Sequence, residues 1–218
     1  MNFNKNRTSL SVSVRRHFVD NFFFSHKNLF TEGKIVLDIG GKKNNKRGLF
    51  DIGKTNANVK YVNVDLSTNP DIVSDASNIP LPDNSYDVAI MGELLEHVPD
   101  PKNVLKEAYR LLRSGGLVLI TVPFLYPVHA DPYDFGRYTD YFWQETLEKI
   151  GFKEIKIEKQ GTIFAVLALI IQHIFRAKNK SWRPIQTPLI LFFMWLDKKT
   201  SNPLLRAWTT GYGIVVKK

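Results

Sequence analysis

The chain has 218 residues, 44% of them hydrophobic, enough for one sizeable core and at most one appended subdomain. It has no cysteine, so disulfides and thiolate metal sites are excluded. The formal charge is +9 at pH 7, with bases scattered from Arg15-Arg16 to Lys198-Lys199. That suits a polyanionic surface or substrate: nucleic acid, anionic lipid head groups and a sugar diphosphate all fit. The first ten residues are polar, with Lys5 and Arg7, and no apolar run precedes Arg15-Arg16. No secretory signal is expected, and a cytoplasmic location follows as an expectation.

In chain order, residues 9–30 set Val12, Val14, Phe18, Val19, Phe22 and Phe23 among Arg and His, predicting a helix that packs on the domain and ends before Gly33. Apolar strands are expected at 34–39, 60–64, 72–74, 86–91 and 117–122. A helix over 101–113 begins with the Asp100 cap and Pro101, repeats apolar residues from Val104 to Leu112, and ends at Arg113-Ser-Gly-Gly. A further helix over 139–149 stops at Gly151, strand 152–158 alternates Phe152, Ile155 and Ile157 with charges, and a last strand covers 212–217. Strands alternating with helices imply a parallel α/β sheet, whose ligands bind beyond the carboxyl ends of the strands. The loops after residues 39, 64, 74, 91 and 122 therefore share one face.

On that face, Ile35-Val-Leu-Asp-Ile-Gly-Gly41 hands a buried strand to a tight turn suited to a nucleotide-like ligand. Asp65 ends the second strand, where a carboxylate can accept hydrogen bonds from a ribose diol. Asp75-Ala76 follows the third strand, and an acid there can accept from an exocyclic amine or serve as a turn residue. Asp87 sits at the other end of its strand and reads as a cap. The fingerprint G-x-G-x-x-G is absent, which disfavours a dehydrogenase.

The order of Val36-Leu-Asp-Ile-Gly-Gly, Val62-Asn-Val-Asp65, Asp75-Ala76, Ser85-Tyr-Asp-Val, Glu93-Leu-Leu-Glu-His97-Val and Leu111-Leu-Arg-Ser-Gly-Gly-Leu-Val-Leu-Ile resembles the class I S-adenosylmethionine-dependent methyltransferases over about 34–124. The resemblance implies a Rossmann-like, seven-stranded, mostly parallel sheet with one antiparallel strand and helices on both faces. It also implies S-adenosyl-L-methionine as cofactor. Asp38, Gly40 and Gly41 would flank the donor's amino-acid moiety, Asp65 would hold the ribose, Asp75 and Ala76 the adenine, Leu66 would also belong to the donor site, and Glu93 would line the pocket. Lys42 stands where the family commonly has a second glycine, so the turn there is expected to differ.

The segment from Pro123 to Thr139 is dense in polar and aromatic residues at the end of a central strand, as an acceptor site would be. His129 is the general base to expect there, Asp131 or Asp134 would orient it, and Arg137 would grip an anionic group; a His–Asp–Arg network that only ties the loop is the alternative. His129, Pro132, Asp134, Arg137 and Thr139 also resemble a string in methyltransferases of bacterial surface-polysaccharide and cell-envelope pathways. That implies a hydroxyl of a saccharide or glycolipid as acceptor, with nucleic acid not expected as partner. A carbon methyltransferase acting on a quinone-like or other apolar acceptor, and a non-catalytic donor- or RNA-binding scaffold, are the competing readings. No metal ligand set is singled out.

The domain divides into a helical segment over 1–33, a donor-binding core over 34–159, an apolar helical insert over 160–210 and a last strand over 211–218. The insert holds two apolar runs, Ile163–Ile171 and Pro188–Leu196, both short of a bilayer span. They are expected to fold over the acceptor face. With Arg176, Lys178, Lys180, Arg183, Lys198 and Lys199 they would also suit an anionic membrane surface.

Overall fold

The computed structural model describes residues 13–44, 46–129, 132–176 and 183–218. Lys5, Arg7, Val12, Asp131, Lys178 and Lys180, and the side chain of Arg183, lie outside the described residues. Seven strands form one sheet: β1 (Ile35–Ile39), β2 (Asn58–Asn63), β3 (Ile72–Val73), β4 (Tyr86–Gly92), β5 (Leu112–Pro123), β6 (Lys153–Lys159) and β7 (Gly211–Lys217). Their order is β3-β2-β1-β4-β5-β7-β6, with β7 antiparallel to both neighbours and the other pairs parallel. The strand order reverses between β1 and β4, so the carboxyl ends of these two strands open a crevice. Asp38 is level with Ile90 there.

The central strands are apolar on both faces because both are covered. On one face, α2 (Pro101–Leu111) and α3 (Asp140–Ile150) bring Leu105, Ala108, Trp143 and Leu147 onto Leu37, Ile39, Met91 and Ile120. On the other, α1 (Val14–Ser25) lays Val19, Phe22 and Phe23 against Val36, Val88, Ile90 and Leu119. A third cluster joins Val14 to α4 (Ile163–Arg176) and α5 (Arg183–Lys199), with Tyr126 of the acceptor loop packed against it. The helix starts are capped as their residues predict: Ser13 accepts from the Arg16 amide, Asp100 from Lys102 and Thr139 from Phe142.

Three features refine the expected elements. Among the described residues, the links β1–β2, β2–β3 and β3–β4 contain 3-10 turns at most and no α-helix. The stretch after Gly41 is too rich in Lys, Asn and Gly to offer a helical apolar stripe, and the phenylalanines of α1 cover that face instead. Second, α2 ends at Leu111, and Arg113-Ser-Gly-Gly belongs to β5, because Leu112 already pairs with Tyr86 of β4. Third, α5 begins at Arg183, so Pro188 of the second apolar run lies inside it.

Candidate active site

The glycine turn after β1 is held from two sides. The Asn63 side-chain amide donates to the carbonyls of Gly40 and Gly41, both at 3.0 Å, and the Gly40 amide donates to Val62 at 2.8 Å. Gly40 has φ +80°, and a Cβ there would stand 2.8 Å from the Leu94 side chain. Glycine is thus required by backbone conformation and by close approach alike. A Cβ on Gly41 would meet the Asp38 carboxyl at 2.2 Å, so that carboxyl lies over the turn. Sequence reasoning missed Asn63 and Leu94. A polar Asn inside an apolar strand was the available signal for the first; nothing local marks the second.

Desolvation pushes the Asp38 carboxyl up to about 7, opposed by Lys46 and assisted by Asp51. Its ordinary value is 3.8, so the folded chain binds this proton more tightly than the unfolded one. The resulting stability is present below the ordinary value and is lost as pH rises through about 7. Asp38→Asn should remove that loss. In urea titrations of the ligand-free protein, the variant's midpoint should gain on the parent's across the interval, and parallel curves would disprove the assignment.

Asp65 and Asp75 stand exposed after β2 and β3. Asp65 accepts from the Ser67 amide at 2.9 Å, opening the 3-10 turn Leu66–Thr68, and Leu66 is exposed. Asp75 accepts from the amide and hydroxyl of Ser77 at 2.7 and 2.6 Å, while Ala76 packs on the core. The Ser77 bonds hold Asp75 below its ordinary range, and the Ser67 bonds do the same for Asp65, with Lys42 assisting. Lys42, in the place of a second glycine, thus sets its charge beside Asp65. Asp87 accepts from the Ile35 amide at 2.8 Å and pairs with Arg113, as a strand-end cap should.

Beyond β4, Glu93 adopts φ +55° and forms a two-pronged pair with Arg15 of α1, at 2.9 and 2.6 Å. Burial pushes the Glu93 carboxyl up, but Arg15 outweighs it and holds the group below its ordinary range. The residue expected to line the pocket therefore also anchors the N-terminal helix. Three residues on, Glu96 is 1% exposed and neither carboxyl oxygen has a hydrogen-bond partner among the described residues. Burial, then the charge of Glu93, pushes it well above the carboxylate range. His97 directs Nδ1 to the Tyr133 carbonyl at 2.6 Å and Nε2 toward Glu96 at 3.6 Å.

The loop after β5 closes over this segment. The His129 amide donates to Asp134 at 2.9 Å, and its Nδ1 lies 3.4 Å from the same carboxylate. Arg137 grips Asp134 with two bonds of 2.5 and 2.7 Å and donates to the carbonyls of Pro127 and Gly136. Most of its guanidinium is thus used within the loop, and the buried Nε is left without a partner among the described residues. The Arg137 bonds hold Asp134 at about 2, and burial, then His97, lowers His129 toward the neutral form. The rings of His97 and His129 meet edge to face at 4.9 Å. The chain thereby assembles Glu96, His97, His129, Asp134 and Arg137 at the ends of two adjacent strands. The sequence singled out the last three; Glu96 passed unnoticed because only the fold reveals its orphaned carboxyl.

The fold is that of the S-adenosylmethionine-dependent methyltransferases. Residues 47–120 match the family described as a methyltransferase domain, about a third of the chain. A SAM-dependent methyltransferase from Archaeoglobus fulgidus superposes with a TM-score of 0.60 over 93% of this chain and 94% of its own, at 18% identity. Among curated proteins, the chain is 33% identical over 96 residues to 2-methyl-6-phytyl-1,4-hydroquinone methyltransferase 2 of Oryza sativa, matching 40% of this chain and 26% of that protein. It is 37% identical over 86 residues to a demethylmenaquinone methyltransferase of Geobacillus, matching 39% of this chain and 30% of that one. The chain thus spans under a third of the length of these relatives.

Proposed function

We propose that this chain transfers the methyl group of S-adenosylmethionine to a hydroxyl of a saccharide or glycolipid acceptor. One observation carries the reading: the Asp38–Gly41 turn abuts Leu94, in the segment that continues into Glu96 and His97. A donor lying over the turn would face the polar cluster of β4 and β5 directly. Asp38 would meet its ammonium group, Asp65 and Leu66 the ribose, Asp75 and Ala76 the adenine. The acceptor oxygen attacks the methyl carbon, the S–CH3 bond breaks as the O–CH3 bond forms, and the sulfonium becomes a neutral thioether. The hydroxyl proton would pass to the neutral imidazole of His129 and from there to solvent. Positioning supplies much of the rate of such an in-line displacement. His129, backed by Asp134 and Arg137, would contact the reacting oxygen.

A second reading has a specific observation behind it. The curated relatives are named for hydroquinone and menaquinone substrates, and α4 and α5 expose Ile170, Ile174, Phe192 and Trp195. Those residues would suit a quinone's prenyl tail and carbon methylation, or equally the lipid of a glycolipid. Mass spectrometry of envelope glycans, lipids and quinones from cells with and without the gene separates the two. A methyl ether lost from a glycan or glycolipid supports the first reading; a methyl group lost from a quinone ring carbon replaces it with the second.

No helix among the described residues is long and apolar enough to cross a membrane. The exposed apolar side chains of α4 and α5, with Arg176, Lys198 and Lys199, are instead proposed to rest on an anionic membrane surface at its cytoplasmic face. Co-sedimentation with phosphatidylglycerol vesicles should be strong at low salt and weakened by Lys198→Gln/Lys199→Gln. Absence of binding at low salt would refute it.

A further inference from the structure

We propose that Glu96, His97 and His129 form a binding site for a divalent transition-metal ion. One carboxylate oxygen and one nitrogen from each ring lie within 4.8 Å of one another. A cation bound about 2.1 Å from each would hold such atoms roughly 3–4 Å apart, a contraction that side-chain rotation can supply.

Three features point to a ligand rather than a chance cluster. Glu96 is 1% exposed, yet neither of its carboxyl oxygens has a hydrogen-bond partner among the described residues. A carboxyl buried in that state lacks the compensation that buried polar groups ordinarily have. The histidines, moreover, are oriented as metal ligands are. His97 directs Nδ1 to the Tyr133 carbonyl at 2.6 Å, and His129 directs Nδ1 to Asp134 and the Pro127 carbonyl at 3.4 and 3.3 Å. With the proton on Nδ1, each ring keeps an Nε2 lone pair for the cation, and the carbonyl or carboxylate behind it fixes the tautomer. Asp134 is itself clamped by Arg137, so the support is rigid. Finally, three lone-pair donors within 4.8 Å of one another repel unless a cation or a proton lies among them. Glu93 is not counted as a ligand, because Arg15 already occupies both of its oxygens.

Two imidazoles and one carboxylate select zinc, manganese, cobalt or ferrous iron over magnesium or calcium, which prefer all-oxygen sets. The His129 side chain is 33% exposed, which leaves an open side where an acceptor oxygen could complete the coordination. The binding site stands independently of the methyl-transfer reading. Its use in catalysis rests on that reading: a hydroxyl bound to the cation would lose its proton more readily, with water at the exposed side of His129 as the acceptor. His129 would then act as a ligand rather than as the free base expected from sequence.

The test is calorimetric titration of the chelator-stripped full chain with ZnCl2, and with MgCl2 for comparison, alongside the visible spectrum on adding CoCl2. One zinc per chain is expected, bound more tightly than magnesium. Glu96→Gln and His129→Ala should each weaken it by more than about tenfold and abolish the cobalt bands, while His26→Ala changes neither. His129, at the rim, tests the site even if Glu96→Gln fails to fold. No stoichiometric binding, or binding indifferent to both substitutions, would overturn the proposal and leave a proton as the occupant. S-adenosylhomocysteine titrated into the same samples reports the donor site separately.

Discussion

Arg15→Met is expected to cost about 3–5 kcal/mol of folding stability, the usual effect of removing one partner of a buried ion pair. Arg15 is 3% exposed and donates to both oxygens of Glu93 and to Gln160 at 2.5 Å. Its guanidinium also packs against Gly211, where a Cβ would stand 2.5 Å away. The pair ties α1 to the ends of β4, β6 and β7 at once. Methionine would leave Glu93 mostly buried without its cation, so that burial pushes its carboxyl toward the protonated form, at a residue already in the left-handed region. Urea unfolding should show the lowered midpoint, and Arg15→Met/Glu93→Gln should recover a large part of the loss, since no orphaned charge remains. An unfolding free energy within about 0.5 kcal/mol of the parent's would show that the pair contributes as little as an exposed one.

Donor affinity supplies the second large effect. Asp65→Ala should weaken binding of S-adenosylhomocysteine by roughly ten- to a hundredfold, because a hydrogen bond to a charged group contributes about 1.5–3 kcal/mol. Asp65 is exposed, so stability should hardly change, which separates a binding defect from a folding one. Gly40→Val should fail by a different route. Its φ of +80° and the Leu94 contact at 2.8 Å would push the turn away from the strand ends, and binding should be lost even with Asp65 intact. Calorimetry reads both. Unchanged affinity in Asp65→Ala would remove the ribose assignment and leave the turn's role standing.

Strand positions were legible in the sequence because each buried strand is a short apolar run ended by Asp, Gly or Pro. The helix starts were legible because Asp100-Pro101 and Thr139 carry their capping chemistry locally. The first three crossovers were left open between turns and helices, and among the described residues the polar stretch after Gly41 forms no α-helix. At the site, His129, Asp134 and Arg137 lie within nine residues and could be read together. In the structure Asp134 contacts both residues, accepting from the His129 amide and from two nitrogens of Arg137.

The sequence by itself determined the fold class, the glycine turn and the acidic residues after β2 and β3, because those depend on local hydrophobic pattern and turn chemistry. Tertiary structure alone decided that Arg15 pairs with Glu93, 78 residues away, that Asn63 holds the glycine turn, and that Glu96 and His97 meet His129. The Asn63 and Glu96–His129 contacts follow from the order β3-β2-β1-β4-β5, and Arg15 reaches Glu93 because α1 packs on that sheet. Their consequence, a buried carboxyl without a partner, comes from desolvation by distant segments, and no local pattern encodes that.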